Sequence, residues 1–358
     1  MSEKVSIVIP VHNGAGKLEK TVKQILKQSY KNIEVVLVEN FSEDNSLEIC
    51  NALSQYDSRV KVFQSFERGT TYARKKGILS ATGDYITFSD QDDSYINRYS
   101  IENMYNTIKG DNSDVCQFGF YLSYGFGYRK KWISDKQHRI IPYEDLMKNE
   151  LKGLFLCFDT AISPTVWSKI YKGDILRSVA PEIDREMYSS EDLYLNLCVF
   201  GSGKVRQFSV SPQAYYVWKS EVGFSSSAKS REQLFLETDF TRMIAVNMIE
   251  QYHIDGSVLY ELMFKTLYYY REFLNGMIND KTEKNVLLEK ITKYEQLEFI
   301  LYAKNYFKQL SPDKYNDVIA FMISDYTPEE LYSFAEKLPI NSGIIPKLRR
   351  VYRKIRHA

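Results

Sequence analysis

The sequence of 358 residues contains only four cysteines, and no Cys-x-x-Cys pair occurs among them. Cys50, Cys116, Cys157 and Cys198 are widely spaced, and most of them lie in apolar runs. This usage is typical of buried free thiols in a reducing compartment, and it excludes a small disulfide-stabilised scaffold.

Long apolar runs and an excess of charge are also missing. No apolar run reaches the ~20 residues that span a bilayer. The N-terminal segment Met1–Lys4 leads straight into a predicted strand without a signal-peptide pattern, so we expect a cytoplasmic protein. The net charge of +1 excludes electrostatic binding of nucleic acid by the whole chain.

The sequence lacks the glycine-rich loops of two common classes of nucleotide enzyme. No G-x-G-x-x-G motif follows the first predicted strand, as an NAD enzyme would require. The segment His12–Gly16 is too short for the phosphate loop of a nucleotidyltransferase. Both classes are therefore disfavoured.

Apolar runs alternate with helical patterns in the N-terminal part of the chain. Runs typical of buried strands occur at Val5–Val11, Ile33–Val38, Val60–Phe63 and Tyr85–Phe88, with helical spacing between them. This alternation predicts an α/β fold with a mostly parallel central sheet covered on both faces. Right-handed crossovers place the loops after these strands at one sheet edge, where ligands bind.

The pattern changes in the rest of the chain. Strands at Val115–Tyr121, Val205–Phe208 and Ala214–Trp218 are predicted among short helices, and nearly everything after about residue 230 reads as helix. Residues 223–227 are rich in glycine and serine and resemble a boundary. We predict a nucleotide-binding domain over 1–226 and an all-helical C-terminal domain over 227–358.

Three carboxylates cluster in Asp90-Gln91-Asp92-Asp93, directly after the fourth predicted strand. Like charges this close repel each other, and a divalent cation is the usual reason for such a cluster. Carboxylate oxygens suit Mg²⁺ or Mn²⁺, and a bound cation attracts the diphosphate of a nucleotide sugar. The alternative is a solvated acidic turn. His12-Asn13 and Glu39-Asn40 end the first two strands, so they are expected at the same edge.

An ordered set of motifs resembles that of family 2 glycosyltransferases of the GT-A fold. Val5–Asn13 resembles their V-S-I-I-I-P-x-Y-N opening, and Gln28–Val38 resembles Q-T-Y-x-N-x-E-I-I-x-V. The acidic segment resembles their D-S-D-D motif. Further matches are Ser42–Ser46, Gly69–Gly77, Val166–Tyr171 and Ser190–Tyr194. Each motif is weak alone, but their order is specific.

The resemblance implies a role for each matching residue. A nucleotide-sugar donor would be bound by Pro10, His12, Asn13, Glu39, Asn40, Arg74, Asp90 and Asp92. Asp92 or Asp93 would bind Mn²⁺ or Mg²⁺, which assists departure of the nucleoside diphosphate. Asp192 would be the general base that deprotonates the acceptor hydroxyl, with Glu191 as its neighbour or alternative. A helix N-terminus with favourable acids is the other explanation of Glu191-Asp192.

Trp167 and Lys169 are assigned to the acceptor side, with core packing and a solvated lysine as the alternative. Arg74 is assigned to the donor phosphates, with a solvated helix position as its alternative.

The segment Glu39-Asn40-Phe41 departs from the Asp-Asp-Gly that is usual in the family. The Asn40 amide can accept from uracil N3–H or pair with cytosine, so UDP and CDP both remain open. Phe41 replaces a glycine, and a positive φ is therefore expected to be harder to adopt there. His12 replaces a tyrosine that stacks on the base in relatives.

The sequence thus predicts an inverting, metal-dependent glycosyltransferase. It would move a sugar, most simply from a UDP-sugar, to a hydroxyl of a cell-surface polysaccharide or a lipid-linked glycan. The alternatives are a CDP-linked donor and a catalytically lapsed carbohydrate- or membrane-binding scaffold.

Residues 346–358 are rich in lysine and arginine and contain no acid. Leu348, Val351, Tyr352 and Ile355 share one helical face, which predicts a basic amphipathic helix. Such a helix would place the enzyme peripherally at the anionic inner face of the cell membrane. A frayed, solvated tail is the alternative.

Overall fold

The computed structural model describes residues 3–123, 129–132, 135–151, 154–155, 162–187, 190–219 and 231–337. The chain forms two compact units, Met1–Leu259 and Tyr260–Ala358. The boundary predicted after residue 226 lies outside the described residues and stays a prediction.

Four parallel strands form the first half of the sheet in the N-terminal unit. They are β1 (Val5–Val11), β2 (Ile33–Glu39), β3 (Val60–Gln64) and β4 (Tyr85–Phe88), as the apolar runs predict. Their spatial order is β3-β2-β1-β4. β1, β2 and β4 are almost wholly buried, which is typical of parallel strands covered on both faces.

The sheet continues beyond β4 with both parallel and antiparallel pairing. The additional strands are β5 (Ser94–Tyr95), β6 (Val115–Ser123), β7 (Arg129–Trp132), β8 (Arg139–Pro142), β9 (Lys169–Lys172) and β10 (Gln207–Lys219). Their order in the sheet is β4-β9-β6-β10-β5. Among the described strands beyond β4, only β6 and β10 pair in parallel, while β9 is antiparallel to both β4 and β6. The predicted mostly parallel sheet therefore describes the first four strands best, within an α/β fold.

A single strand replaces two predicted ones near the end of the sheet. The sequence suggests separate strands at Val205–Phe208 and Ala214–Trp218, but β10 runs through both. Its register against β6 shifts between Ser211 and Tyr216. Such irregularities bend a strand without ending it, and Pro212 and Gln213 at this point resemble a break in the sequence.

The helices of the N-terminal unit pack between successive strands. They are α1 (Leu18–Leu26), α2 (Ser46–Tyr56), α3 (Thr70–Ser80), α4 (Ser100–Asp111), α5 (Tyr143–Asp145, continued by a π-turn at Leu146–Glu150), α6 (Gly173–Val179), α7 (Glu191–Gly201) and α8 (Arg231–Gln251). Short 3-10 turns occur at Ala180–Glu182 and Pro312–Lys314. Gly77 lets α3 approach the sheet closely, since a Cβ there would lie 2.3 Å from Val8 Cγ1.

The described part of the C-terminal unit is helical, as the sequence predicts. The helices from residue 256 onward are α9 (Gly256–Asn279), α10 (Lys284–Tyr294), α11 (Glu298–Lys308), α12 (Asp317–Ile323) and α13 (Pro328–Glu336). Leu274, Leu287, Ile291 and Phe299 are among its buried apolar residues. A search of the described helices finds none that is long and apolar enough to cross a membrane.

Candidate functional site

The site lies where the direction of sheet growth reverses. β2 and β3 extend the sheet on one side of β1, and the chain then returns to place β4 on the other side. The carboxyl ends of β1 and β4 therefore border a topological switch point, the usual ligand crevice of an open α/β sheet. The loops after β1, β2 and β4 carry His12, Asn40 and Asp90 respectively.

The three acids of the loop after β4 have different environments. Asp90 and Asp92 keep 31% and 33% of their side chains exposed, whereas Asp93 is buried. Asp93 Oδ1 accepts a 2.8 Å hydrogen bond from Lys219 N, and its carbonyl accepts one from Thr21. Asp93 therefore fastens the loop to the end of β10, while Asp90 and Asp92 face the crevice.

The electrostatics of this loop suit a cation. Burial and the nearby charges of Asp192 and Asp92 raise the pKa of Asp90 to about 7, although Arg74 opposes the shift. Burial and the charge of Asp90 also raise the pKa of Asp93 well above its ordinary value. Asp93 Oδ2 has no hydrogen-bond partner among the described residues. A bound cation would relieve this repulsion.

The carboxylates do not form a complete metal cage on their own. No group of three or more His, Cys, Asp or Glu side chains in the described ranges converges on one metal position. Mg²⁺ is commonly held by one or two carboxylates together with substrate phosphates and water. The loop has the carboxylates for that mode, and Asp92 or Asp93 as the metal ligand remains a prediction.

Arg74 connects the acidic loop to the predicted base. Its guanidinium is 4% exposed and places Nη1 2.5 Å from Asp192 Oδ1 and Nη2 3.6 Å from Asp90 Oδ1. Asp192 Oδ2 accepts a 3.1 Å hydrogen bond from Val166 N. The structure thus brings Asp90, Arg74 and Asp192 together across the crevice. Arg74 is buried, so its alternative as a solvated helix residue is wrong.

Asp192 occupies the first turn of α7, as the motif suggests, and Glu191 is the first residue of that helix. Burial lowers the pKa of Arg74, but the negative charges of Asp192 and Glu191 outweigh this effect and raise it. The assignment of Asp192 or Glu191 as general base remains a prediction.

Hydrogen bonds join the loop after β1 to the acidic loop. Gln91 Nε2 donates to the His12 carbonyl at 2.8 Å, and His12 N donates to Gln91 Oε1 at 3.0 Å. Gly14 leaves room for this amide, since a Cβ there would lie 2.1 Å from Gln91 Oε1. The sequence analysis did not identify Gln91 as a site residue. The observation that could have revealed it is that glutamine replaces the serine of the family's D-S-D-D motif.

Asn40 is buried, and both polar atoms of its side chain are engaged. Nδ2 donates to the Glu67 carbonyl at 2.8 Å, and Oδ1 accepts from Gly69 N at 2.8 Å. The Asn40 carbonyl is also 2.8 Å from His12 Nδ1. The amide therefore holds the loop before α3 in this structure, and its role in reading the base remains a prediction.

The other predicted donor residues surround this loop. Pro10 lies in β1 opposite Val38 of β2, one residue before the strand ends. Asn13 is exposed and accepts from Glu43 N at 2.8 Å. Glu39 is buried and accepts from Ser42 N at 2.6 Å. Each of these residues supports the loop geometry at the carboxyl ends of β1 and β2.

Phe41 adopts the conformation that its side chain disfavours. Its φ is +55°, although the sequence suggests that a positive φ is harder to reach without glycine. The hydrogen bonds of Asn40 and Ser42 on either side hold the backbone in this turn. The Phe41 side chain remains 46% exposed.

Trp167 and Lys169 are buried. Trp167 stacks against Tyr216 with ring centroids 4.8 Å apart. Lys169 Nζ donates to the carbonyls of Ser163 and Thr165, each at 2.6 Å. Burial lowers the pKa of Lys169 to about 7. Lys169 is therefore not the solvated lysine of the alternative interpretation, and an acceptor-side role for either residue remains a prediction.

A further carboxylate that sequence reasoning missed lies at the N-terminus of α3. Glu186 Oε2 accepts from Thr71 N at 3.2 Å and from Tyr72 N at 3.4 Å. Its carboxyl carbon occupies the space that a Cβ on Gly69 would need, 1.9 Å away. No local signal could reveal this contact, because it joins residues more than a hundred positions apart.

Comparisons with known proteins agree with this geometry. Residues 6–163 match the model of the family described as Glycosyl transferase family 2. Glycosyltransferase GlyG of Streptococcus pneumoniae serotype 4 is 42% identical over 125 residues, 35% of this chain and 41% of GlyG. The cholesterol galactosyltransferase of Borreliella burgdorferi is 24% identical over 353 residues, 95% of each chain. The crystal structure of S. aureus TarS 1–349 in complex with UDP-GlcNAc has a TM-score of 0.59 at 19% identity, covering 93% of this chain and 90% of that one.

The fold and the family model agree on one class of protein, the glycosyltransferases with a GT-A-like α/β domain. The chain contains a domain of glycosyltransferase family 2 over residues 6–163. It spans 41% of the length of GlyG, so the reaction of the whole protein, its substrates and its partners are proposals.

Proposed function

We propose that the protein transfers a sugar from a nucleoside-diphosphate sugar to an acceptor hydroxyl, with inversion and with help from a divalent metal. The acceptor class is a cell-surface polysaccharide or a lipid-linked glycan. The observation that carries this proposal is the charged bridge across the crevice. Arg74 contacts both Asp90 of the acidic loop and the predicted base Asp192, so the proposed donor loop and the proposed base lie close together.

The acidic loop would bind the donor through its diphosphate. We assign Asp92 to Mn²⁺ or Mg²⁺, because its side chain is one-third exposed whereas Asp93 is buried. Family 2 enzymes generally depend on a divalent metal. When bound, such a cation stabilises the negative charge of the departing nucleoside diphosphate. Two hydrogen bonds hold this loop in place. Asp93 accepts from Lys219 N, and Gln91 Nε2 donates to the His12 carbonyl.

Asp192 would accept the proton of the acceptor hydroxyl. Arg74 and the N–H of Val166 fix the orientation of its carboxylate relative to the donor loop. A positioned base of this kind typically contributes ~10²–10⁴ in rate. The attacking oxygen then forms a bond to the anomeric carbon as the bond to the diphosphate oxygen breaks.

Two similarities support the substrate classes. The TarS crystal structure contains UDP-GlcNAc, which supports a UDP-sugar as donor. The Borreliella burgdorferi relative is named for transfer of galactose to cholesterol, which supports an acceptor of lipid type. A CDP-linked donor remains the alternative, because the side-chain amide of Asn40 could pair with cytosine as well as with uracil.

A nucleotide screen followed by an activity assay tests this proposal. Melting temperatures are measured with UDP, CDP and GDP, each with Mn²⁺, because a ligand that binds the folded state raises stability by RT ln(1 + [L]/Kd). The best nucleotide then selects the sugar donors for a hydrolysis assay. We expect one nucleotide to stabilise the protein and its sugar derivative to be hydrolysed only with metal.

The control is Asp92→Asn, which should retain the fold and lose the metal-dependent reaction. An absence of both nucleotide stabilisation and hydrolysis in the unaltered protein would favour the lapsed scaffold instead.

A further inference from the structure

Phe41 combines two features that are each unfavourable for stability. Its φ of +55° is in the left-handed region, which is uncommon for residues other than glycine and a genuine outlier for bulky side chains. Its ring is also 46% exposed to solvent. Neither feature contributes to the packing of the core, and strained residues of this kind cluster at ligand sites.

Hydrogen bonds of the residues on both sides of Phe41 hold its backbone in the left-handed conformation. Asn40 N donates to the Val11 carbonyl at 2.8 Å, and Ser42 N donates to Glu39 Oε1 at 2.6 Å. Ser42 Oγ in turn accepts from Asn13 N at 3.1 Å. The residues on both sides of Phe41 are therefore fixed to the ends of β1 and β2.

The position of this turn relative to the acidic loop limits what it can contact. The sheet order places β1 between β2 and β4, so Phe41 and the acidic loop lie on opposite sides of the β1 end. Under the proposed function, the diphosphate binds at Asp90 and Asp92. Asp192 accepts from Val166 N, shortly before β9, and β9 pairs with β4 on the side away from β1. The nucleoside must then extend over the ends of β1 and β2.

We propose that Phe41 supplies an aromatic surface on which the base of the donor nucleotide stacks. The His12 ring, which follows β1, is restrained by its 2.8 Å contact with the Asn40 carbonyl. Every nucleobase has a π-face, so Phe41 contributes affinity for several bases rather than selectivity for one. This inference rests on the proposed function, because a protein without a nucleotide donor would have no base to stack.

Three substitutions separate the ring from the backbone conformation. Phe41→Ala removes the ring and keeps the strain, Phe41→Gly removes both, and Phe41→Tyr keeps both. The affinity for UDP, CDP and GDP is measured by calorimetry with Mn²⁺, and melting temperatures are recorded. Tyr56→Ala is the matched control, because Tyr56 is an exposed aromatic residue at the far end of α2.

We expect the Ala and Gly variants to bind the preferred nucleotide about tenfold more weakly, the loss typical of one base–aromatic stack. Phe41→Tyr and Tyr56→Ala should bind it like the unaltered protein. Phe41→Gly should melt above Phe41→Ala, because glycine relieves the left-handed strain. Inorganic pyrophosphate, which has no base, should bind all variants equally.

Two results would overturn the inference while leaving the proposed function intact. One is unchanged nucleotide affinity in both Phe41→Ala and Phe41→Gly. The other is full nucleotide affinity in Phe41→Gly together with reduced affinity in Phe41→Ala. Both variants lack the ring, so the strained backbone and not the ring would then explain the loss of affinity. If the unaltered protein binds none of the three nucleotides, the proposed function itself fails, and this inference fails with it.

Discussion

Asp92 and Asp93 are adjacent in the sequence but have different tasks in the structure. Asp92 is one-third exposed beside the crevice, whereas Asp93 is buried and accepts a hydrogen bond from Lys219 N. The sequence left open which of the two binds a metal directly. Exposure favours Asp92, because a ligand must be reached by both the cation and the donor phosphates.

Substitution of the acidic loop tests this division. Asp92→Asn should nearly abolish metal-dependent turnover without lowering the melting temperature. Asp93→Ala should also lower stability, by about 1 kcal/mol, because it removes the hydrogen bond that the buried Asp93 carboxylate accepts from Lys219 N. Turnover with Mn²⁺ and thermal unfolding are measured on the same preparations. Full metal-dependent activity in both Asp92→Asn and Asp93→Asn would exclude the loop as the metal site.

Asp192→Asn tests the general base. The amide cannot accept the acceptor proton, so transfer should fall by roughly 10²–10⁴. Nucleotide affinity, measured by calorimetry, should stay near that of the unaltered protein, because asparagine keeps an oxygen that can accept from Arg74 or from Val166 N. Glu191→Gln tests the alternative base one residue away, and it should retain transfer if Asp192 is the base. A loss of donor binding without a loss in the chemical step would reassign Asp192 to the donor site.

Asn40→Asp distinguishes a loop-holding role from a base-reading role. A carboxylate cannot donate to the Glu67 carbonyl, so we expect a loss of about 1–3 kcal/mol in stability. If Asn40 only holds the loop, the affinities for UDP and CDP should fall together. If its amide reads the base, UDP affinity should stay or rise while CDP affinity falls. Calorimetry with both nucleotides separates the two outcomes.

At the scale of the element, α3 is the helix that joins the two sides of the site. Its N-terminus receives the Glu186 carboxylate, and its second turn supplies Arg74. Asn40 fixes the loop that precedes it through Gly69 N. A displacement of α3 would therefore move the donor side and the predicted base together.

Glu186 gives α3 a pH dependence. Burial raises the pKa of Glu186 to about 7, although the N–H of Tyr72 opposes the shift. A carboxyl with a raised folded-state pKa contributes stability below its unfolded value near 4.5, and that contribution is lost as the pH rises to about 7. Glu186→Gln should therefore raise the melting temperature relative to the unaltered protein more at pH 8 than at pH 5.

Melting curves across this pH range, with Glu182→Gln as control, check the prediction for Glu186. Glu182 is a more exposed carboxylate on a neighbouring turn. An equal change at both pH values would show that Glu186 does not titrate in this interval.

At the scale of the whole molecule, the sequence predicts attachment to an anionic membrane surface through residues 346–358. This segment lies outside the described residues, so the hypothesis rests on its basic and apolar pattern alone. Each basic residue near an anionic surface contributes about 1 kcal/mol before screening. We propose that this attraction holds the enzyme near a lipid-linked acceptor at the inner face of the cell membrane.

Liposome co-sedimentation tests the membrane hypothesis. Binding should require anionic lipid, weaken with salt, and fall when residues 346–358 are deleted. Vesicles of neutral lipid are the control. Equal sedimentation of the full-length and shortened proteins would contradict a membrane role for this segment.

Sequence alone determined the α/β class, the first four strands and the sheet edge at which the candidate residues gather. These follow from local properties, because buried parallel strands are continuous apolar runs and right-handed crossovers gather their ends. The family also follows from motif order. The sequence did not predict that β10 is one continuous strand, because Pro212 resembles the end of a strand. In the structure, β6 pairs with β10 on both sides of Pro212.

Only the tertiary structure decided which polar groups meet. The contacts of Arg74 with Asp192, Asn40 with Gly69, and Glu186 with Thr71 join residues that are far apart in the chain. The left-handed φ of Phe41 likewise contradicts its local preference, because hydrogen bonds to neighbouring strands impose the turn. Local propensity cannot encode such contacts, since the energy that fixes them comes from packing and charge across the completed sheet.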